Sequence, residues 1–169
     1  MDPVIKTGTP APDFTLPDLD GVPHALADTR GTITVLVFWS AECPWSARAD
    51  ETLKKMRAEW SAEVTVLAIA ANANESREEK AKAAAERGIS PLLLDEGGEV
   101  ARLYGAAITP QVFLIDAAGI LRYQGAFDDA NFRQPEPTRN YLWEAVECVL
   151  ADENPVPGEV PAYGCTIVF

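Results

Sequence analysis

The sequence predicts an α/β domain with a central mixed β-sheet flanked by helices. Three observations predict it. Ile33–Trp39 is an apolar run whose one polar side chain is Thr34, and such a run reads as a strand buried on both faces. Beyond Pro44, apolar residues recur three and four apart at Trp45, Ala49, Leu53, Met56 and Trp60, which is the stripe of an amphipathic helix. Val64–Ala70 then repeats the buried-strand pattern. Strand, helix and strand in this order make a βαβ unit, so the two strands run parallel.

Bulk properties narrow the possible functions. The chain has 169 residues, enough to build its own core. We expect a single domain over residues 1–169, with 154–169 as a Pro-rich C-terminal tail. A net charge of −12 argues against nucleic acid and against anionic membrane surfaces, because both select basic patches. No apolar run is long enough to cross a bilayer. Residues 1–6 lack a signal-peptide core. A cytoplasmic location is therefore expected, or a periplasmic one if a leader segment has been removed. Three cysteines, Cys43, Cys148 and Cys165, are too few for a disulfide framework. There is no Cys-x-x-Cys pair, and His24 is the single histidine, so no metal site is expected. Without a Gly-rich phosphate loop or a dinucleotide fingerprint, no cofactor is expected either.

The remaining elements follow in order. Gly8 to Leu16 leads into a short edge strand, Asp20-Gly21 signals a tight turn, and His24-Ala25-Leu26 returns as the second arm of an N-terminal hairpin. His24 reads as a solvated turn residue, since it lacks a partner for chemistry. After Val64–Ala70 comes a loop, Asn72 to Glu75. Its Asn74-Glu75-Ser76 sequon is short enough to be coincidental. Ser76 and Glu79 have capping-box spacing for a charged scaffold helix that Gly88 closes. Leu92 to Asp95 is a short strand, and 100–104 a short helix. Thr109-Pro110 precedes an apolar strand that ends at Asp116. Asp116 to Gly119 turns the chain into an antiparallel return strand, Ile120 to Gly125. Thr138 is placed to cap a final helix over 139–151, with Tyr141, Leu142, Ala145, Val146 and Val149 inward and Cys148 as a packing residue beside them. The tail ends in Tyr163-Gly164-Cys165-Thr166-Ile167, which is too apolar to hang free, so it should pack on the domain or on a partner chain.

The chemistry points to Cys43. Pro44 suits the first helical position, so Cys43 sits where a central strand hands over to a helix N-terminus. The exposed N–H groups and the positive end of the helix dipole favour its thiolate, the reactive form. The segment Phe38-Trp39-Ser40-Ala41-Glu42-Cys43-Pro44-Trp45-Ser46 resembles the active-site segment of the thioredoxin superfamily. With the second cysteine replaced by Ser46, it is similar to the redoxin, peroxiredoxin-like branch of the alkyl hydroperoxide reductase/thiol-specific antioxidant superfamily. Gly8-Thr9-Pro10-Ala11-Pro12-Asp13-Phe14-Thr15-Leu16, Arg139-Asn140-Tyr141-Leu142 and the Tyr-Gly-Cys-Thr-Ile ending extend the resemblance over nearly the whole chain.

The resemblance implies a thioredoxin fold and an antioxidant or disulfide-handling thiol enzyme of bacterial type. It implies that Thr109 and a cis Pro110 form the wall opposite Cys43 where substrate docks, with Trp39, Pro44 and Trp45 around them. Ser46, one helical turn on, is placed to donate a hydrogen bond to the thiolate, but an oxygen cannot resolve a mixed disulfide. Cys165 is the candidate resolving thiol, since closing a long loop costs little more than closing a medium one. Its alternative is a packing or interchain role. Peroxide-reducing members place proline seven and threonine three residues before the attacking cysteine and add a later arginine. Here those positions hold Leu36 and Ser40, and Arg122 lies in what reads as an ordinary hairpin. We therefore expect thiol–disulfide exchange with a protein or small-molecule disulfide, recycled by a thiol reductant. Peroxide reduction is the alternative, and a non-enzymatic redox sensor or docking module the second alternative. The oligomeric state is not legible.

Overall fold

A computed structural model describes residues 5–169. Residues 1–4, part of the stretch read as lacking a signal-peptide core, lie outside the described residues. The expected hairpin forms from β1 (Thr15–Pro17) and β2 (Pro23–Ala25), paired antiparallel. Its turn is closed by Asp18, whose Oδ1 accepts from the N–H groups of Asp20 and Val22. His24 is not simply solvated. Its Nε2 lies 2.8 Å from Asp18 Oδ2, and this contact holds the Asp18 carboxyl below the usual carboxylate range.

The main sheet has six strands. β3 (Ile33–Trp39) and β4 (Val64–Ala70) are parallel in unbroken register, and β5 (Leu92–Leu94) adds parallel to β4. On the other side of β3, β7 (Gln111–Ile115) and β8 (Leu121–Gly125) run as an antiparallel hairpin. The tail supplies the outermost strand, β9 (Glu159–Val160), parallel to β8. All seven residues of β3 are buried, as a strand in the middle of a two-faced sheet must be.

Helices cover both faces. α1 (Pro44–Glu59) and α4 (Tyr141–Leu150) pack with one face of β3 and β7, around Val35, Val37, Leu53, Val112, Leu142 and Val146. The other face buries Leu36, Phe38 and Phe113 against Tyr104 of α3 (Glu99–Tyr104) and Phe14. α2 (Arg77–Arg87) has the capping box read from Ser76 and Glu79, and it ends at Gly88 in the left-handed region. The final helix starts later than expected. Asp129 accepts from the Thr138 hydroxyl and from the N–H groups of Thr138 and Arg139, so Thr138 is unavailable as a cap. Asn140 caps instead, accepting from Trp143 N–H at 2.9 Å.

The tail packs on its own chain. Beyond β9 it crosses to β10 (Cys165–Thr166), which pairs antiparallel with β6 (Ile108–Thr109), and Ile167 is buried in the core.

Candidate active site

β3 delivers its last residue, Trp39, to the C-terminal edge of the parallel strands, the usual place for a site in such sheets. Ser40-Ala41-Glu42 then bridges to Cys43, the N-cap of α1. This bridge is held from three sides. The buried Glu75 carboxylate, in the loop after β4, accepts from Ser40 Oγ, from Ala41 N–H at 3.0 Å and from Glu42 N–H at 3.2 Å. Arg87, the last residue of α2, donates to the carbonyls of Ser40, at 3.0 Å, and Ala41. Ser46 Oγ accepts from Ser40 N–H at 3.1 Å.

A buried charge pair stands behind the bridge. Asp50 Oδ2 accepts from Trp39 Nε1 at 2.7 Å and lies 3.3 Å from Arg87 Nη1. Burial raises the Asp50 carboxyl above the ordinary range, against the opposing pull of Trp39 and Arg87. Arg87 also lies over the Trp39 ring, 5.2 Å from its centroid.

Cys43 is 2 % exposed. Its sulfur accepts from Ser46 N–H at 3.4 Å, and its thiol donates to the Thr109 carbonyl at 3.3 Å. The first turn of α1 carries no acidic side chain, so no residue of that turn offsets the helix's positive end. The Thr109–Pro110 peptide bond is cis. β10 lies against the same wall, with Cys165 in register with Thr109. Cys165 and Cys43 line the same cavity. Burial, the neighbouring Cys43 and the charge of Glu75 push the Cys165 thiol up to about 12. Two cysteines far apart in sequence therefore share one cavity, one at a helix N-terminus and one kept protonated. A cavity of about 220 Å³ opens onto the pair, lined by Glu42, Asn72, Asn74, Glu75 and Val168 among others.

The expected site residues divide accordingly. Cys43, Ser46, Thr109, Pro110 and Cys165 come together. Ser46 touches the sulfur through its backbone N–H, while its hydroxyl serves Ser40. Trp45 is half-buried and meets Tyr163 edge-to-face at 5.2 Å between centroids. Pro44 is exposed at the first position of α1. Trp39 corrects the expectation of a substrate contact. It is fully buried, with its indole N–H taken by Asp50, so it supports the bridge from beneath. Cys148 is half-buried beside Pro155–Pro157, away from the other two sulfurs. Arg122 pairs with Asp116 at 3.0 Å. The register of β3, β7 and β8 puts it at the end of the sheet opposite Cys43.

Sequence reasoning missed Glu75, Asp50 and Arg87. Glu75 was readable only as a loop residue. Its one signal was position, just past the end of a buried parallel strand.

Comparison with known proteins identifies the family and the fold. The AhpC/TSA family matches residues 7–124, a span that contains Cys43 and Thr109-Pro110 but stops short of Cys165. The thiol-disulfide oxidoreductase ResA of Geobacillus thermodenitrificans is 32% identical over 117 residues, which are 68% of this chain and 66% of that protein. A hypothetical protein from Sinorhizobium meliloti 1021 has a similar structure, with a TM-score of 0.87, 33% identity, and coverage of 98% of this chain and 95% of its own. The thioredoxin domain of a thiol-disulfide oxidoreductase from Bacteroides vulgatus matches in fold, with a TM-score of 0.64, 24% identity, and coverage of 78% and 93%. The fold is that of thioredoxin, and the chain belongs to the AhpC/TSA family.

Proposed function

We propose that this chain, working as one domain, is a thiol–disulfide oxidoreductase in which Cys43 attacks and Cys165 resolves. The observation that carries the reading is the pairing of Cys165 with Thr109, whose carbonyl accepts from the Cys43 thiol, beside a cavity that both cysteines line. The relatives named thiol-disulfide oxidoreductases support the reaction class.

The Cys43 thiolate attacks one sulfur of a substrate disulfide. That S–S bond breaks, a Cys43–substrate disulfide forms, and the departing thiolate takes a proton from water. Ser46 N–H and the free end of α1 stabilise the sulfur anion before attack. Once Cys43 is bonded to substrate it carries no charge, so its charge no longer helps to hold Cys165 protonated. Cys165 then loses its proton to water, its thiolate attacks Cys43 Sγ, and the second departing thiolate takes up a proton from water. The substrate ends as two thiols and the protein as a Cys43–Cys165 disulfide. A thiol reductant restores the dithiol by the same exchange in reverse. Glu75, Arg87 and Ser46 keep the Ser40-Ala41-Glu42 bridge in place throughout. Peroxide reduction is disfavoured because Leu36 stands in the core and Arg122 is committed to Asp116 at the far end of the sheet.

The test is stopped-flow reaction of the reduced protein with cystamine and, separately, hydrogen peroxide. Cystamine should react faster, and Cys165→Ser should accumulate a stable Cys43–cysteamine adduct that the unmodified protein does not. Faster reaction with peroxide, an inert Cys43, or equal turnover in Cys165→Ser would overturn the proposal.

A further inference from the structure

The C-terminal segment is fastened along its length. The Tyr163 ring packs on Trp45, and its hydroxyl accepts from Phe132 N–H at 3.0 Å. β10 pairs with β6. Ile167 is buried, and its N–H donates to the Ala107 carbonyl at 2.8 Å. Val168 N–H donates to Asn72 Oδ1 at 2.7 Å, and its carbonyl accepts from Ala73 N–H at 2.7 Å.

What this segment covers is informative. A strand edge beside a nucleophilic thiol is where an extended peptide adds by main-chain pairing. Here the chain's own Gly164-Cys165-Thr166 holds that edge, with its cysteine level with Thr109. Gly164 shows how close the fit is. A Cβ there would lie 1.9 Å from the Thr109 carbonyl oxygen, the same oxygen that the Cys43 thiol contacts.

Building on the exchange reading above, we infer that residues 163–169 are a resident competitor for the edge at which a peptide disulfide would pair with β6. A peptide disulfide reaches Cys43 only in the fraction of molecules whose strap has lifted. A small disulfide enters through the open cavity with the strap in place. When the strap returns to a Cys43–peptide adduct, it presents Cys165 and displaces the peptide backbone from β6 in one movement. Resolution and release are then coupled.

The first arm of the test uses no sulfur chemistry, so its result stands apart from that of the exchange reading. A fluorescein-labelled peptide of residues 160–169 carrying Cys165→Ser is titrated against Cys43→Ser protein, with and without Gly164→Ala. Apparent affinity scales with the competent fraction, so the Gly164→Ala protein should bind about tenfold more tightly. Tyr163→Ala, at an exposed residue, loosens the strap by a second route and should shift binding the same way. Equal affinity in all three proteins would overturn the inference. The second arm measures exchange with Cys43 present. In Gly164→Ala the rate of Cys43 adduct formation with a disulfide-linked peptide should rise about tenfold relative to that with cystamine. A rise in both rates together would contradict a competitor specific to peptides.

Discussion

Helices α1 and α2 each begin just beyond the C-terminal end of a buried parallel strand, yet their first turns are built differently. At α2 the Ser76 hydroxyl accepts from Glu79 N–H at 3.1 Å, and the Glu79 carboxylate accepts from Ser76 N–H at 2.8 Å. Glu78 adds a second acidic residue to that turn. Oxygen caps and negative charge satisfy the free N–H groups and the dipole, which stabilises the helix. At α1 the cap is a sulfur, its hydrogen bond is longer at 3.4 Å, and the turn carries no acid. Sulfur is a weak acceptor, so α1 forgoes part of the stabilisation that α2 takes. Support comes instead from Glu75 and Arg87, outside the helix, and from the bond between Trp39 of β3 and Asp50 of α1. The difference is between a helix end that serves stability and one kept available to a nucleophile.

Substitutions separate the two roles. The largest effect belongs to Cys43→Ser. A serine oxygen caps a helix well but is no nucleophile toward disulfides. Exchange kinetics should fall by at least about a thousandfold, while urea denaturation should stay within about 1 kcal/mol of the parent. Next comes Asp50→Ala, which strands the half-buried Arg87 and leaves Trp39 N–H unpaired. The denaturation midpoint should fall by the equivalent of about 3 kcal/mol, with looser protection of the Ser40-Ala41-Glu42 amides in hydrogen exchange.

The third effect is a pH dependence. Burial is the largest cause of the raised Cys165 thiol, and it persists when Cys43 is bonded to substrate. Thiolate is the attacking form, and its fraction grows as pH rises toward the pKa. Decay of a Cys43–cysteamine adduct should therefore quicken by nearly tenfold per unit between about pH 6 and 8. The smallest effect is Ser76→Ala. It should cost about 1 kcal/mol at the α2 end and leave the exchange rate unchanged, which would mark α2's cap as purely structural.

Much of this arrangement was readable from the sequence because it rests on local signals. The all-apolar β3, Pro44 after Cys43, the capping box at Ser76 and the Thr109-Pro110 step before β7 each announce themselves within a few residues. What escaped is what depends on distant parts meeting. Glu75 looks like any loop acid until β4 places it under the Cys43 bridge. Asp50 lies on a helix whose stripe was read from its apolar residues. Trp39 looked like a substrate contact because it neighbours the reactive segment, but the pleat turns it inward onto Asp50. Thr138 looked like a cap, and only the fold brings Asp129 to it. The seat of Cys165 on β6 depends on the whole course of the tail, which no local pattern encodes.

The most direct measurement is peptide mapping by mass spectrometry after the reduced protein is treated with one equivalent of cystamine at neutral pH. The account predicts a disulfide between the Cys43 and Cys165 peptides, with Cys148 left as a free thiol. A lasting cysteamine adduct on Cys43, or a disulfide that includes Cys148, would contradict it.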